Sequence, residues 1–406
     1  MAYLDHAATT PMLPEAIDAL TAALAVTGNP SSIHSAGQRA KRLLEESREQ
    51  VAATLGADPI EVVFTGSGTE AVNLAIKGLY WRRQADASRP RVLVPLGEHH
   101  ATIDTVEWLA THEGASPVDL PLDGVGRLRL GALAEELGRD EASVALATML
   151  WASNEVGTLQ PVAEAAALAA RGGVPLHADA IAAFGQVPID VRAIRRATDA
   201  PGGAGLVAVS VSAHKIGGPA GIGALVLDRS AQIEPLLHGG GQQRRIRSGT
   251  QDVAAAAAFA AAATAVAARL DRDAARMAAL RDRLVAGVAR LVPDARLSGD
   301  PDPAGRLPAN AHFSFPGCEG DSLLFLLDAA GVNVSTGSAC QAGVPEPSHV
   351  LLAMGRSEPD ARGALRITLG HASTEADVDA FLAALPDAYE RASRAGLAAR
   401  ATSFDR

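Results

Sequence analysis

The chain has 406 residues, 48% hydrophobic and 20% charged, a composition that excludes disordered, collagen-like and coiled-coil proteins and predicts more than one domain. A net charge of −10 argues against a general nucleic-acid binder, because the cluster Arg244, Arg245, Arg247 is only local. Two cysteines, Cys318 and Cys340, are too few for a disulfide framework and suit a reducing compartment.

In chain order, residues 38–55 place Leu43, Leu44, Val51 and Leu55 at near-helical spacing, and residues 61–65 form a short β-branched run. Helical patterns at 69–82, 101–111 and 162–171 then alternate with strand patterns at 91–96, 144–150 and 174–178, with Gly172 and Gly173 closing the third helix. Strands at 206–211 and 222–227 complete the set. Such alternation predicts crossover units and a largely parallel sheet covered on both faces. Residues 253–291 read as one long Ala-rich helix whose apolar run, 253–268, is shorter than the ~18 residues of a membrane span. After it come strands at 311–315, 331–335 and 364–369 and helices at 321–329 and 375–394, the last expected to break at Pro386. The terminal ATSFDR carries no packing signal and is expected to fray. The chain thus reads as α/β: a large domain at 15–252, then a connecting helix and a small α+β domain at 253–406 that also takes in 1–14. Asp5 and His6 interrupt any apolar signal region, so a cytoplasmic location with no membrane contact is expected.

Of the 36 basic residues only Lys41, Lys77 and Lys215 are lysines. Arginine keeps its proton in proteins, whereas a lysine of lowered pKa becomes a neutral nucleophile. Lys41 and Lys77 lie in helical stretches; Lys215 lies in the glycine-rich VSAHKIGGPAGIGALVL.

Ligands of open parallel sheets gather at the carboxyl ends of the strands, and three chemical groups fall there. GSGTE, with Gly68 and Thr69, opens a helix after the strand EVVFT and offers backbone N–H groups to a phosphate. HADA sets Asp179 at one strand end, and SAHK sets Ser212, His214 and Lys215 at another. A phosphate cradle, a carboxylate and an amine together point to pyridoxal phosphate, which condenses with a lysine and takes an acidic partner at its ring nitrogen. A metal site from His99, His100, His177 and Asp179 lacks ligand spacing, because adjacent histidines on an extended chain face opposite ways. No GxGxxG follows the first strand, which leaves a dinucleotide site unsupported. Cys340 lies in the loop STGSACQAGVPEPS, suited to carrying a thiolate, while Cys318 precedes a helix whose N-terminus could lower its pKa.

Taken together, YLDHAATTP, GTEAVNLAIKG, NEVGT, HADA, SAHKIGGPAGIGAL, HGGGQQRRIRSGT, STGSAC and LRITLGHAST resemble the pyridoxal-phosphate-dependent cysteine desulfurases that supply iron–sulfur cluster assembly and tRNA thiolation. The resemblance runs from residue 3 to about 385. It implies a fold-type I, aminotransferase-like architecture and a homodimer with sites near the subunit interface. By it, Lys215 matches the Schiff-base lysine, Asp179 the partner of the pyridinium nitrogen, and His99 the ring-stacking histidine that moves protons. Gly68, Thr69, Ser212 and His214 match phosphate contacts, with Thr250 reaching the phosphate from the other subunit. Arg366 and Asn154 match the groups around the substrate carboxylate, and Cys340 the thiolate that takes sulfur from L-cysteine, leaves a persulfide and releases alanine. Acceptor proteins, an iron–sulfur scaffold or a thiolation relay, would receive the sulfur. The family's usual Gln three residues after the aspartate is Ala182 here. That departure keeps a selenocysteine lyase or a carbon–sulfur β-lyase in view, and a scaffold without chemistry is a third reading that the intact site residues oppose.

Overall fold

The computed structural model describes residues 1–198, 202–337 and 347–400, the side chains of 396–400 excepted. Twelve strands are present among the described residues: β1 (Ala2–Tyr3), β2 (Val62–Thr65), β3 (Arg91–Pro95), β4 (Ser116–Leu120), β5 (Val144–Leu150), β6 (Pro175–Asp179), β7 (Gly205–Ser212), β8 (Gly223–Leu227), β9 (Arg296–Ser298), β10 (Asn310–Ser314), β11 (Val332–Asn333) and β12 (Ala364–Thr368). Seven of them form the main sheet in the order β2-β8-β7-β6-β5-β3-β4. All its pairings are parallel except those of β8, which runs antiparallel to both β2 and β7. Every residue of β5, β6, β7 and β8 is buried, as continuous apolar runs require when helices cover both faces. The sheet is therefore mostly parallel and doubly covered, as the alternating pattern predicts.

The helix Val253–Leu291 is a single uninterrupted rod, capped by the Asp252 carboxylate accepting from the Ala255 N–H. Its first turns lie in the larger core, where Phe259 sits edge-on between Phe64 and Phe184. Further along, Met277, Leu280, Leu284 and Val288 join a second core with Phe313, Phe315 and Phe381. The rod is long and apolar enough to cross a membrane by length and composition, beyond what the apolar run alone indicates. Its alanines instead let the helices Pro14–Leu24 and Ser35–Thr54 pack closely on it, and this accounts for the apolar face.

The second core backs an antiparallel sheet of order β12-β10-β9 and the short parallel pair β1-β11. Helix Glu375–Arg400 runs straight through Pro386, contrary to the expected break. Proline removes one backbone donor and crowds the carbonyl four residues back, Leu382. Pro386 faces solvent, so water can satisfy that carbonyl, while buried Phe381, Leu385 and Ala388 hold the helix on the core. The strand expected at 331–335 shortens to β11, and the tail 401–406 lies outside the described residues.

Candidate active site

The carboxyl ends of β2, β6 and β7 open on one cavity of about 430 Å³, which β12 and the segment 6–8 close from the other side. After β2, Ser67 caps the helix Gly68–Gln84 by accepting from the Glu70 N–H at 3.0 Å. The first turn of that helix, Gly68 and Thr69, lines the cavity with its N–H groups otherwise unspent. Close approach requires glycine here. A Cβ at Gly223 would lie 2.6 Å from the Ser67 carbonyl carbon, and one at Gly68 would lie 2.4 Å from Ile181 Cδ1. Ser212, the last residue of β7, and His214, just past it, line the same wall, and His214 Nδ1 meets the Thr9 hydroxyl at 3.3 Å. Burial and Lys215 push the His214 pKa down to about 4, so this ring is neutral at pH 7.

Asp179 ends β6 almost fully buried, one oxygen accepting from the Ile181 N–H at 2.9 Å. Burial raises its pKa to about 6, against the lowering pull of that bond and of Lys215. A buried anion with one free oxygen suits a protonated ring nitrogen. Lys215 closes the turn after β7, its Nζ donating to the carbonyl of Ala7 and, at 2.9 Å, to that of Ala8. Burial first and Arg366 second push its pKa from 10.5 down to about 8, with Asp5 and Asp179 opposing. Roughly a tenth of the amine is then neutral at pH 7, against about one part in 3,000 for an unperturbed lysine.

His99 caps the helix His100–Glu113, its Nδ1 accepting from the Ala101 N–H at 3.0 Å, which leaves the proton on Nε2. Its ring is open to the cavity, yet the protein packed around it and Lys215 push its pKa down to about 4. Behind it, Glu98 is buried, one oxygen accepting from the Leu150 N–H at 2.8 Å, and burial raises its pKa to about 8. On the facing wall Arg366, from β12, is held by the Asn154 carbonyl at 2.9 Å and by the Asp5 carboxylate at 3.0 Å. Two of its five N–H groups are spent there, and others remain for a carboxylate.

Lys215, Asp179, His99, Gly68, Thr69, Asn154, Ser212, His214 and Arg366 thus line one cavity. Thr250 is exposed and does not line it. Cys340 lies outside the described residues; before that segment Ser335 and Gly337 line the cavity, the Gly337 N–H donating to Ser335 Oγ at 3.1 Å, and after it Ser348 Oγ donates to the buried Glu155 carboxylate. Cys318 is not activated by its helix. It is buried, and burial pushes its thiol up to about 12, overriding the helix N-terminus. Among the described residues no group of His, Cys, Asp and Glu side chains could hold a metal. Three elements carry no assigned site role in the sequence reading: the Asp5 to Ala8 turn, Glu98, and Gln186, which lines the cavity four residues past Ala182 with its Oε1 unpartnered. Glu98 was findable as a carboxyl beside His99; the other two need the fold.

The donor set fits pyridoxal phosphate: a helix N-terminus and hydroxyls for a dianion, a buried carboxylate for a ring nitrogen, and an amine of lowered pKa for an aldehyde. Fold and cavity define a fold-type I pyridoxal-phosphate enzyme. The comparisons narrow this further. Residues 2–381 match the aminotransferase class-V family. An IscS-like cysteine desulfurase of Mycobacterium tuberculosis is 53% identical over 99% of this chain and all of its own length. The cysteine desulfurase NifS of Azotobacter vinelandii is 37% identical over 95% of this chain and 91% of its own. A solved NifS-like protein superposes with a TM-score of 0.86 at 31% identity, covering 96% of this chain and 100% of that one. The chain belongs to the aminotransferase class-V family and, within it, to the pyridoxal-phosphate-dependent cysteine desulfurases.

Proposed function

We propose that this protein takes sulfur from L-cysteine, giving L-alanine and a persulfide on Cys340 that passes to acceptor proteins. The observation that carries the reading is the convergence of Lys215, Asp179 and Arg366 on one cavity that Ser335 and Gly337, just ahead of Cys340 in the sequence, also line. A relative described as SspA in complex with cysteine, with a TM-score of 0.74 and 27% identity, supports the substrate.

When bound, pyridoxal phosphate supplies an aldehyde for an amine and a ring that withdraws electrons from the carbon bearing that amine. The chain's residues do the rest. Thr69, Ser212, His214 and the Gly68 backbone hold the phosphate, and Thr250 completes that grip across a homodimer. Asp179 keeps a proton on the ring nitrogen, because its buried charge is otherwise half-satisfied. Arg366, steadied by Asn154 and Asp5, grips the planar substrate carboxylate. Neutral Lys215 takes the proton from the substrate Cα and later returns one. His99, its proton on Nε2, faces the cavity and donates there. The Cys340 thiolate attacks the substrate sulfur, forming the S–S bond as the C–S bond breaks.

The large unit 15–252 and the smaller one 253–406 with 1–14 are proposed as the two domains, with the long helix shared between the two cores. A cytoplasmic location is the reading that a chain with only two cysteines supports. Peptide mass analysis after incubation with L-cysteine is expected to find added sulfur at Cys340. Sulfur on Cys318 alone overturns the nucleophile, and sulfide release that persists in Cys340→Ser supports a β-lyase instead.

A further inference from the structure

The N-terminal turn 5–10 ties the arginine of one core to the lysine of the other. Asp5 bridges to Thr368 on β12, the Ala7 N–H donates to Thr368 Oγ1 at 2.9 Å, and the Tyr3 hydroxyl braces the Asp5 and Thr9 carbonyls. The Thr10 N–H reaches the His214 carbonyl, next to Lys215. Within this bracket the Asp5 carboxylate holds Arg366, while the Ala7 and Ala8 carbonyls hold the Lys215 amine. Among the described residues, Asp5 is the acidic side chain paired with Arg366, which is itself almost fully buried.

We propose that Asp5 is a positioning residue for the reaction: its carboxylate fixes the Arg366 fork and offsets its charge at the place where Lys215 must take and give a proton. This rests on the reading of Lys215 and Arg366 given above. The groups facing the Lys215 amine are Asp179 from β6, Arg366 from β12, His99 at its helix start, His214 on its own turn, and Asp5. Both histidines are neutral at pH 7, so the local field is set by one cation and two anions. Neutralising Asp5 leaves Arg366 opposed only by Asp179. Its repulsion of a protonated amine then grows, and Lys215 loses its proton at lower pH. Asn keeps an acceptor for Arg366 Nη2, so this variant removes charge rather than the contact.

With only three lysines, the test can be read peptide by peptide. The full-length chain is freed of cofactor, shown to recover its colour with added pyridoxal phosphate, and labelled with trace acetic anhydride across a pH series. In Asp5→Asn the labelling midpoint of Lys215 is expected to fall by roughly half a pH unit, less than the full shift of a directly contacting charge. Lys41 and Lys77 are expected to keep their wild-type curves. Asp5→Glu is expected to restore the Lys215 midpoint, and Asp5→Ser, smaller and equally neutral, to repeat the fall should the Asn variant not fold. A Lys215 midpoint unmoved in the neutral variants, or one that moves together with Lys41 and Lys77, overturns the proposal. The labelling reads the amine's own protonation, so it fails separately from the assignment of Lys215 as the cofactor lysine, which borohydride trapping decides.

Discussion

Replacing Glu98 with Gln removes a buried acid that the fold keeps protonated. Unfolded, this carboxyl gives up its proton near 4.5; folded, burial and the Asp179 charge hold it to about 8. Between those values the native chain binds a proton that the unfolded chain has lost, so native stability declines with rising pH by about 1.36 kcal/mol per unit. By pH 7 the cost is roughly 3 kcal/mol. Gln carries no such cost. Its Oε1 can keep the Leu150 N–H, and its amide can donate to the Thr102 hydroxyl, which lies against the carboxyl and has no other partner. The variant is therefore expected to match the wild type near the unfolded pKa and to exceed it by roughly 3–4 kcal/mol at pH 7–8. Urea unfolding of the cofactor-free chain, at matched protein concentration because a dimer's stability depends on it, reads this directly. A stability difference that is the same at about pH 5 and at about pH 8 would refute the reasoning.

Other consequences follow from the same geometry. Arg366→Lys keeps the charge but loses the fork that joins Asn154, Asp5 and a carboxylate, so KM for L-cysteine should rise roughly 10- to 100-fold, as the loss of one charge-assisted bond implies; an unchanged KM would place the substrate carboxylate elsewhere. Gly223→Ala drives a methyl to within 2.6 Å of the Ser67 backbone and should weaken cofactor affinity at least tenfold, roughly 1.4 kcal/mol, in a spectroscopic titration. Cys318, pushed up to about 12, should resist iodoacetamide in the folded chain at neutral pH and react once urea unfolds it. Ala182→Gln adds an amide to the cavity near Gln186 and should shift the pH titration of the holoenzyme's colour with cofactor still bound. An identical titration would show position 182 to be without influence.

Much of the fold is legible because its elements are locally consistent. Buried strands such as β5 and β7 read as apolar runs, and the helix after β2 carries its cap in Ser67. Short or half-exposed pieces are not legible: β4, with four of its five residues at least partly exposed, and the two-residue β1 owe their form to neighbouring strands. The antiparallel course of β8 is a property of chain return rather than of composition. Pro386 shows tertiary packing overruling a local signal. At the site, Lys215 and Asp179 are visible as strand-end residues, and the rarity of lysine singles out the former. The Asp5 contact with Arg366 spans 361 positions and exists only once two cores meet.

The assigned chemistry of the site depends most directly on where the cofactor attaches. Reducing the holoenzyme with borohydride, digesting it and sequencing the tagged peptide should place a single pyridoxyl group on Lys215, in the peptide spanning SAHKIGGPAG. A tag on Lys41 or Lys77, or a yellow protein that yields no tagged peptide, would contradict it.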